Sequence, residues 1–135
     1  MKTIKLLLGI AALLTLSVIV SAKEVDFFGY NVDLDNPDIA TLKSDSQDGN
    51  KVAQYVFGSC LLAGRNTPQD KPEGVSWIRK SAEQDFALAQ ALLGCCYCEG
   101  VGVTPDKEEG LKWLRKAVQN GLPEAQKEID AHEKN

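Results

Sequence analysis

The sequence predicts an all-α fold: a short right-handed α-solenoid of antiparallel helix pairs, written in 36-residue repeats and closed by polar cap helices. Three observations carry that expectation. "VAQYVFGSCLLAGRNTPQDKPEGVSWIRK", from Val52 to Lys80, lies without a gap over "LAQALLGCCYCEGVGVTPDKEEGLKWLRK", from Leu88 to Lys116. Twelve positions are identical, where average residue usage gives roughly two. Within each copy, apolar residues recur at helical spacing on both sides of a glycine-containing turn. Trimmed fragments of the same repeat flank the two copies, as the end units of a solenoid should.

Taken in order, residues 1–22 have the build of a secretory signal peptide. Lys2 and Lys5 lead, an apolar run from Leu6 to Val20 follows, and Val20-Ser21-Ala22 offers small residues at the cut. The apolar run is shorter than the roughly 20 residues of a spanning helix, so no membrane insertion is expected after cleavage. The expected location is therefore periplasmic or secreted. Residues 23–37, with Phe27, Phe28 and Tyr30, fit no repeat and form an N-terminal extension; nothing in the chain reads as strand.

The repeat domain is expected over 38–134. Residues 38–49 align with the second helix of a repeat but hold Thr41 where tryptophan recurs, so they read as a polar cap helix. In the repeat 51–86, Val52, Ala53, Val56, Phe57, Cys60 and Leu61 make one apolar face. Leu88, Ala89, Leu92, Leu93, Cys96 and Tyr97 copy that face in the repeat 87–122. Gly64 and Gly100 end these helices. Asp70 and Asp106 open the second helices as N-caps, with Glu73 and Glu109 placed to complete capping boxes. Pro72 falls in a first turn, where its missing donor costs nothing. Trp77 and Trp113 are the expected core pegs, with Gly58, Gly94, Phe57, Leu93 and Tyr97 beside them. Residues 122–134 begin as a third first helix and end in charge, a C-terminal cap.

The formal net charge of −4 becomes −6 once Lys2 and Lys5 are removed. No basic tract or basic helix face remains, which argues against nucleic acid and against anionic membrane surfaces. An acidic surface suits a basic partner. Arg79-Lys80 and Arg115-Lys116 read as a solvated helix face, and Glu108 and Glu109 as first-turn residues favoured by the helix dipole.

From Asp38 to Ile129 the chain resembles the Sel-1-like repeat family, relatives of the tetratricopeptide repeat. The resemblance rests on Ala89, Gln90, Leu93, Gly94 and Tyr97 in the first helix, then Gly100, Gly102, Val103, Asp106, Trp113, Arg115, Lys116 and Ala117. The earlier copy departs from the pattern. Leu61 replaces the tyrosine, and Asn66-Thr67 replaces Gly-Val, which implies a looser turn. Gly74 and Gly110 stand where the family usually has alanine. The resemblance implies an interaction scaffold with no catalytic residues and no cofactor.

All four cysteines follow the signal segment and face an oxidising compartment. Cys60 and Cys96 lie on the apolar stripe and read as small core hydrophobes; Cys95 and Cys98 lie off it. A tetrahedral zinc site needs four Cys or His ligands, and the single histidine, His132, sits in the C-terminal cap, so no metal is expected. A redox Cys-x-x-Cys belongs at a strand-to-helix junction. Structural disulfides among Cys60, Cys95 and Cys98 are the remaining reading, with the pairing left open.

Recognition is expected on the concave face, at positions that differ between copies: Tyr55, Ser59 and Leu62 in one, Ala91, Cys95 and Cys98 in the other. The leading function is a non-catalytic periplasmic adaptor or scaffold, its partner an envelope enzyme, an assembly factor or a secreted effector. The resemblance supplies two alternatives. One is an immunity protein neutralising a periplasm-acting effector such as a phospholipase. The other is a penicillin-binding or weakly β-lactam-hydrolysing cysteine-rich repeat protein. The second helices here lack the cysteines of that last group, and no Ser-x-x-Lys motif occurs.

Overall fold

The computed structural model describes residues 24–27, 30–33 and 36–134. Residues 1–22, expected to form a signal peptide, lie outside the described residues. Six helices follow a short hairpin: β1 (Glu24–Phe27), β2 (Tyr30–Asp33), α1 (Ile39–Gln47), α2 (Lys51–Ala63), α3 (Lys71–Ala82), α4 (Ala87–Glu99), α5 (Lys107–Gln119) and α6 (Ala125–Glu133). Each helix packs on the next in chain order, and α6 also touches α4. That nearest-neighbour order is what a solenoid requires.

The hairpin corrects the expectation that no strand is present. β1 and β2 pair antiparallel, with Val25 opposite Val32 and Phe27 opposite Tyr30. The alternation of β-branched and aromatic residues at these four positions is a strand signal, weak because it is only two residues deep on each strand.

The helix starts follow their caps. Asp38 accepts from the N–H groups of Ala40 and Thr41, and Asn50 from those of Val52 and Ala53. Asp70 and Asp106 accept from Glu73 N–H and Glu109 N–H. The return half of the expected capping box is replaced, because the donors it would satisfy are already taken. Asp70 N–H bonds Leu61 O at 3.0 Å and Asp106 N–H bonds Tyr97 O at 2.9 Å. The Glu73 carboxylate accepts instead from Trp77 Nε1–H at 3.3 Å.

Gly64 and Gly100 end α2 and α4 at φ 68° and 70°, the left-handed cap that glycine adopts without a Cβ penalty. The turn after α2 is not looser than its copy. Asn66 takes φ 54° where Gly102 takes 67°, since asparagine tolerates this region, and its side-chain amide donates to Asn36 Oδ1 at 3.0 Å.

Within each repeat the helices cross at a pair of glycines. A Cβ on Gly58 would lie 2.7 Å from Gly74 O, and one on Gly94 would lie 2.7 Å from Gly110 O. This contact explains why both copies hold glycine, not alanine, at positions 74 and 110: the two backbones touch there.

Phe57, Leu93 and Trp113 are buried as expected, Leu93 completely. Trp77 and Tyr97 are only half-buried and pack on the rim of the core. The rings of Phe57 and Trp77 lie 5.7 Å apart. The core divides in two. The larger part runs from Leu42 through both repeats to Cys96 and Trp113. The smaller joins Ala91 and Cys95 of α4 to Leu111, Leu114 and Ala117 of α5 and to Ala125 and Ile129 of α6.

Candidate interaction surface

The first helices are buried on nearly every side, because each lies between a helix of its own repeat and those of its neighbours. That overturns most of the predicted recognition strip. Tyr55, Leu62, Ala91 and Cys95 are all core residues, none more than 7% exposed. Tyr55 meets Phe86 edge-on at 5.4 Å, and Leu62 packs against Gly74. Ala91 and Cys95 belong to the cluster beneath α6. Buried in this way, these four side chains pack on their neighbours and present no free face. Only Ser59 and Cys98 reach the surface, each half-buried, and the Ser59 hydroxyl donates to Tyr55 O at 2.8 Å.

A buried amide ties one unit to the next. Gln54 Nε2–H donates to Ser46 O at 3.0 Å, and its Oε1 accepts from Gln84 at 2.8 Å. One period later Gln90 donates to Ala82 O at 3.1 Å and accepts from Asn120 at 2.9 Å. The third copy, Gln126, is exposed and bonds Asp130 on its own helix. The repeated Ala-Gln is therefore a joint that ties the preceding unit to the end of its own repeat, in both full repeats.

The accessible feature between the repeats is a seam. On α3, Arg79 donates to the Tyr97 hydroxyl of α4, with its guanidinium carbon 5.3 Å from the ring centroid. One turn earlier on α3, Val75 packs against Gly102 of the turn after α4. Val101 and Val103 flank that glycine and, like Arg79 and Tyr97, are half-buried. The contact recurs one period on, where Arg115 pairs with the Glu133 carboxylate at 2.8 Å. The expected solvated Arg-Lys face holds for Lys80, Arg115 and Lys116, which are exposed, whereas Arg79 is half-buried against Tyr97. Lys80 and Lys116 also lie over the rings of Trp77 and Trp113, at 4.0 and 4.4 Å. Sequence reasoning missed this seam; the identical 18-residue separation of Arg79 from Tyr97 and of Arg115 from Glu133 was its signal.

All four cysteines are free thiols. Cys60 belongs to the larger core cluster and Cys95 to the smaller, with Cys98 packed on the latter, so the structure does not bring Cys60 together with either as a staple. Burial pushes every thiol pKa up, that of Cys95 well above its ordinary value and that of Cys96 to about 12. Cys60, Cys95 and Cys96 are buried and held as neutral thiols, and half-buried Cys98 is the one within reach of solvent. Native protein treated with iodoacetamide near pH 8 is expected to be modified first at Cys98, with the other three reacting only on unfolding, as read by mass spectrometry. The sign for stability follows. An unfolded thiol ionises near pH ~8.5, so the contribution of buried Cys96 is complete below that pH and is lost as the pH rises through about 12.

Fold and surface together define a class: a short α-solenoid of helix-hairpin repeats whose periodic residues are spent on packing. The chain belongs to the Sel1 repeat family, whose model matches residues 51–86 and 87–122. Repeats of this family mediate protein–protein interaction. Among solved structures, 13 chains match. A Sel1 repeat protein from Oxalobacter formigenes is 37% identical, with a TM-score of 0.64 over 67% of this chain. A protective antigen present in uropathogenic Escherichia coli strains, displaying an SLR fold, is 30% identical, with a TM-score of 0.69 over 71%. The chain spans 26% of the first and 21% of the second. No curated protein matches.

Proposed function

We propose that this chain is an exported, non-catalytic adaptor that binds a partner protein in the periplasm through the seam between its two repeats. The observation that carries the reading is the half-exposed group of Arg79, Tyr97, Val101 and Val103. Arginine and tyrosine dominate binding energy at protein interfaces, and an apolar rim that stays partly open favours a partner over solvent. The acidic surface, at −6 after loss of Lys2 and Lys5, favours a partner with a basic face. It gives no footing for nucleic acid. Among the described residues, no helix is long and apolar enough to cross a membrane.

The test is affinity capture of tagged mature protein from the periplasm of its source, set beside Val103→Lys, a change in a half-exposed turn. One stoichiometric partner is expected, and Val103→Lys is expected to lose it while keeping the wild-type circular dichroism. Full retention by the variant would remove the seam from the proposal. A captured secreted effector would make the chain an immunity protein, whereas an envelope enzyme or assembly factor would make it an adaptor.

A further inference from the structure

The cap helix α6 carries the wrong residues for its position in the repeat. One period before Glu128 and His132 stand Leu92 and Cys96, and two periods before stand Val56 and Cys60, all of them core residues. On α6 the same inward-facing places hold a carboxylate and the single imidazole of the chain. They sit one turn apart, so they share a face, and both are half-buried. Opposite them is Cys95 of α4, 1% exposed. The Cys95 sulfur, a Glu128 carboxylate oxygen and a His132 ring nitrogen all lie within 4.8 Å of one another. Among the described residues, neither Glu128 nor His132 forms an ion pair. The counterpart of Cys95 in the first repeat is Ser59, which faces no such pair and donates to its own helix.

We infer that Cys95, Glu128 and His132 form a binding site for a divalent ion of the zinc class, which clasps the last helix to the second repeat. The donor set selects the ion. Thiolate, imidazole and carboxylate together suit zinc, whereas magnesium and calcium take oxygen ligands alone. Zinc bonds of about 2.0–2.3 Å set tetrahedral ligand atoms about 3.5 Å apart, a separation that small side-chain rotations reach from 4.8 Å. Charge balances as well. On binding, the Cys95 thiol gives its proton to solvent, and the thiolate and carboxylate then neutralise the dication in a place where a lone anion is costly. The expectation of no metal counts cysteine and histidine alone; with the Glu128 carboxylate there are three protein ligands, and water takes the fourth position.

The test uses purified reduced protein stripped of metal, titrated with zinc chloride and, for spectroscopy, with cobalt(II). One ion per chain is expected, with a rise in melting temperature and a sulfur-to-cobalt charge-transfer band in the near ultraviolet. His132→Ala and Glu128→Gln alter half-exposed side chains and should keep the fold by circular dichroism. Each is expected to weaken binding more than tenfold, since losing even an outer-shell partner costs about that much. Cys95→Ser should abolish the charge-transfer band. Absence of stoichiometric binding would overturn the site, as would unchanged affinity in His132→Ala or a band that survives Cys95→Ser. None of these readouts depends on capture of a partner protein.

Discussion

Gln90→Glu is expected to destabilise the protein by about 3 kcal/mol at pH 7, the order of an uncompensated buried charge. The substitution preserves shape and changes only what the side chain offers. Gln90 is fully buried, and its Nε2 faces Ala82 O at 3.1 Å and Asp85 Oδ1 at 3.4 Å. A carboxylate oxygen in that place meets two acceptors and no donor. The other oxygen keeps the bond from Asn120, which offsets part of the loss. The pH dependence identifies the cause. Burial raises the introduced carboxyl above its usual pKa near ~4.3, so the penalty is complete above the raised value and disappears as the pH falls below ~4.3. Protonated, the group again donates to Ala82 O. Gln126→Glu is the control: its side chain is exposed, and denaturant midpoints should change little at either pH. Equal effects at the two positions would show that the amide is not the joint between units.

This joint illustrates which part of the structure was legible in sequence. The recurrence of Ala53-Gln54, Ala89-Gln90 and Ala125-Gln126 gave away the period, because packing one unit on an identical one demands identical contacts. The helix ends were equally readable, since Asp70, Asp106, Gly64 and Gly100 act through local backbone chemistry. What the copies do not share was misread. Tyr55 against Ala91, and Leu62 against Cys98, look like recognition positions only if the first helices have a free side. Phe86 and Gly74 fill that side in the first repeat, and α6 fills it in the second. Those neighbours are tertiary, and no spacing within a single helix reveals them. For the same reason Cys95 appeared to lie off the apolar stripe. A helix packed on both sides has no single stripe, and α4 buries Ala91 and Cys95 as fully as Leu92 and Cys96. In sequence, His132 reads as a lone histidine in a polar cap and Glu128 as one of its charges, although the repeat frame aligns both with core positions of the earlier units.

Gly94→Leu is expected to abolish cooperative folding, and Gly94→Ala to cost about 2 kcal/mol, because at this crossing the obstacle is backbone. The new Cβ would lie 2.7 Å from Gly110 O and 3.1 Å from Leu114 N, with Leu114 Cγ at 2.8 Å. A side chain can rotate away from such a contact; a helix carbonyl and amide cannot, so the two helices must separate. Overpacking of this kind costs up to about 3 kcal/mol. Replacing a mid-helix glycine returns about 1 kcal/mol of helix propensity, which leaves the net loss near 2 for alanine. Leucine adds three further carbons to a space that has no room for the first. A small domain holds only about 5–15 kcal/mol in total, and the α4–α5 pair supports both core clusters. Gly58→Ala meets the same arrangement, with Gly74 O at 2.7 Å. The two alanine losses should add, since distant sites without shared partners behave independently. Urea denaturation of both single variants and the double measures this. A Gly94→Ala variant more stable than the parent would mean that propensity prevails and the helices do not touch at the glycines. The matched pairs Gly58–Gly74 and Gly94–Gly110 would then need another reason to recur.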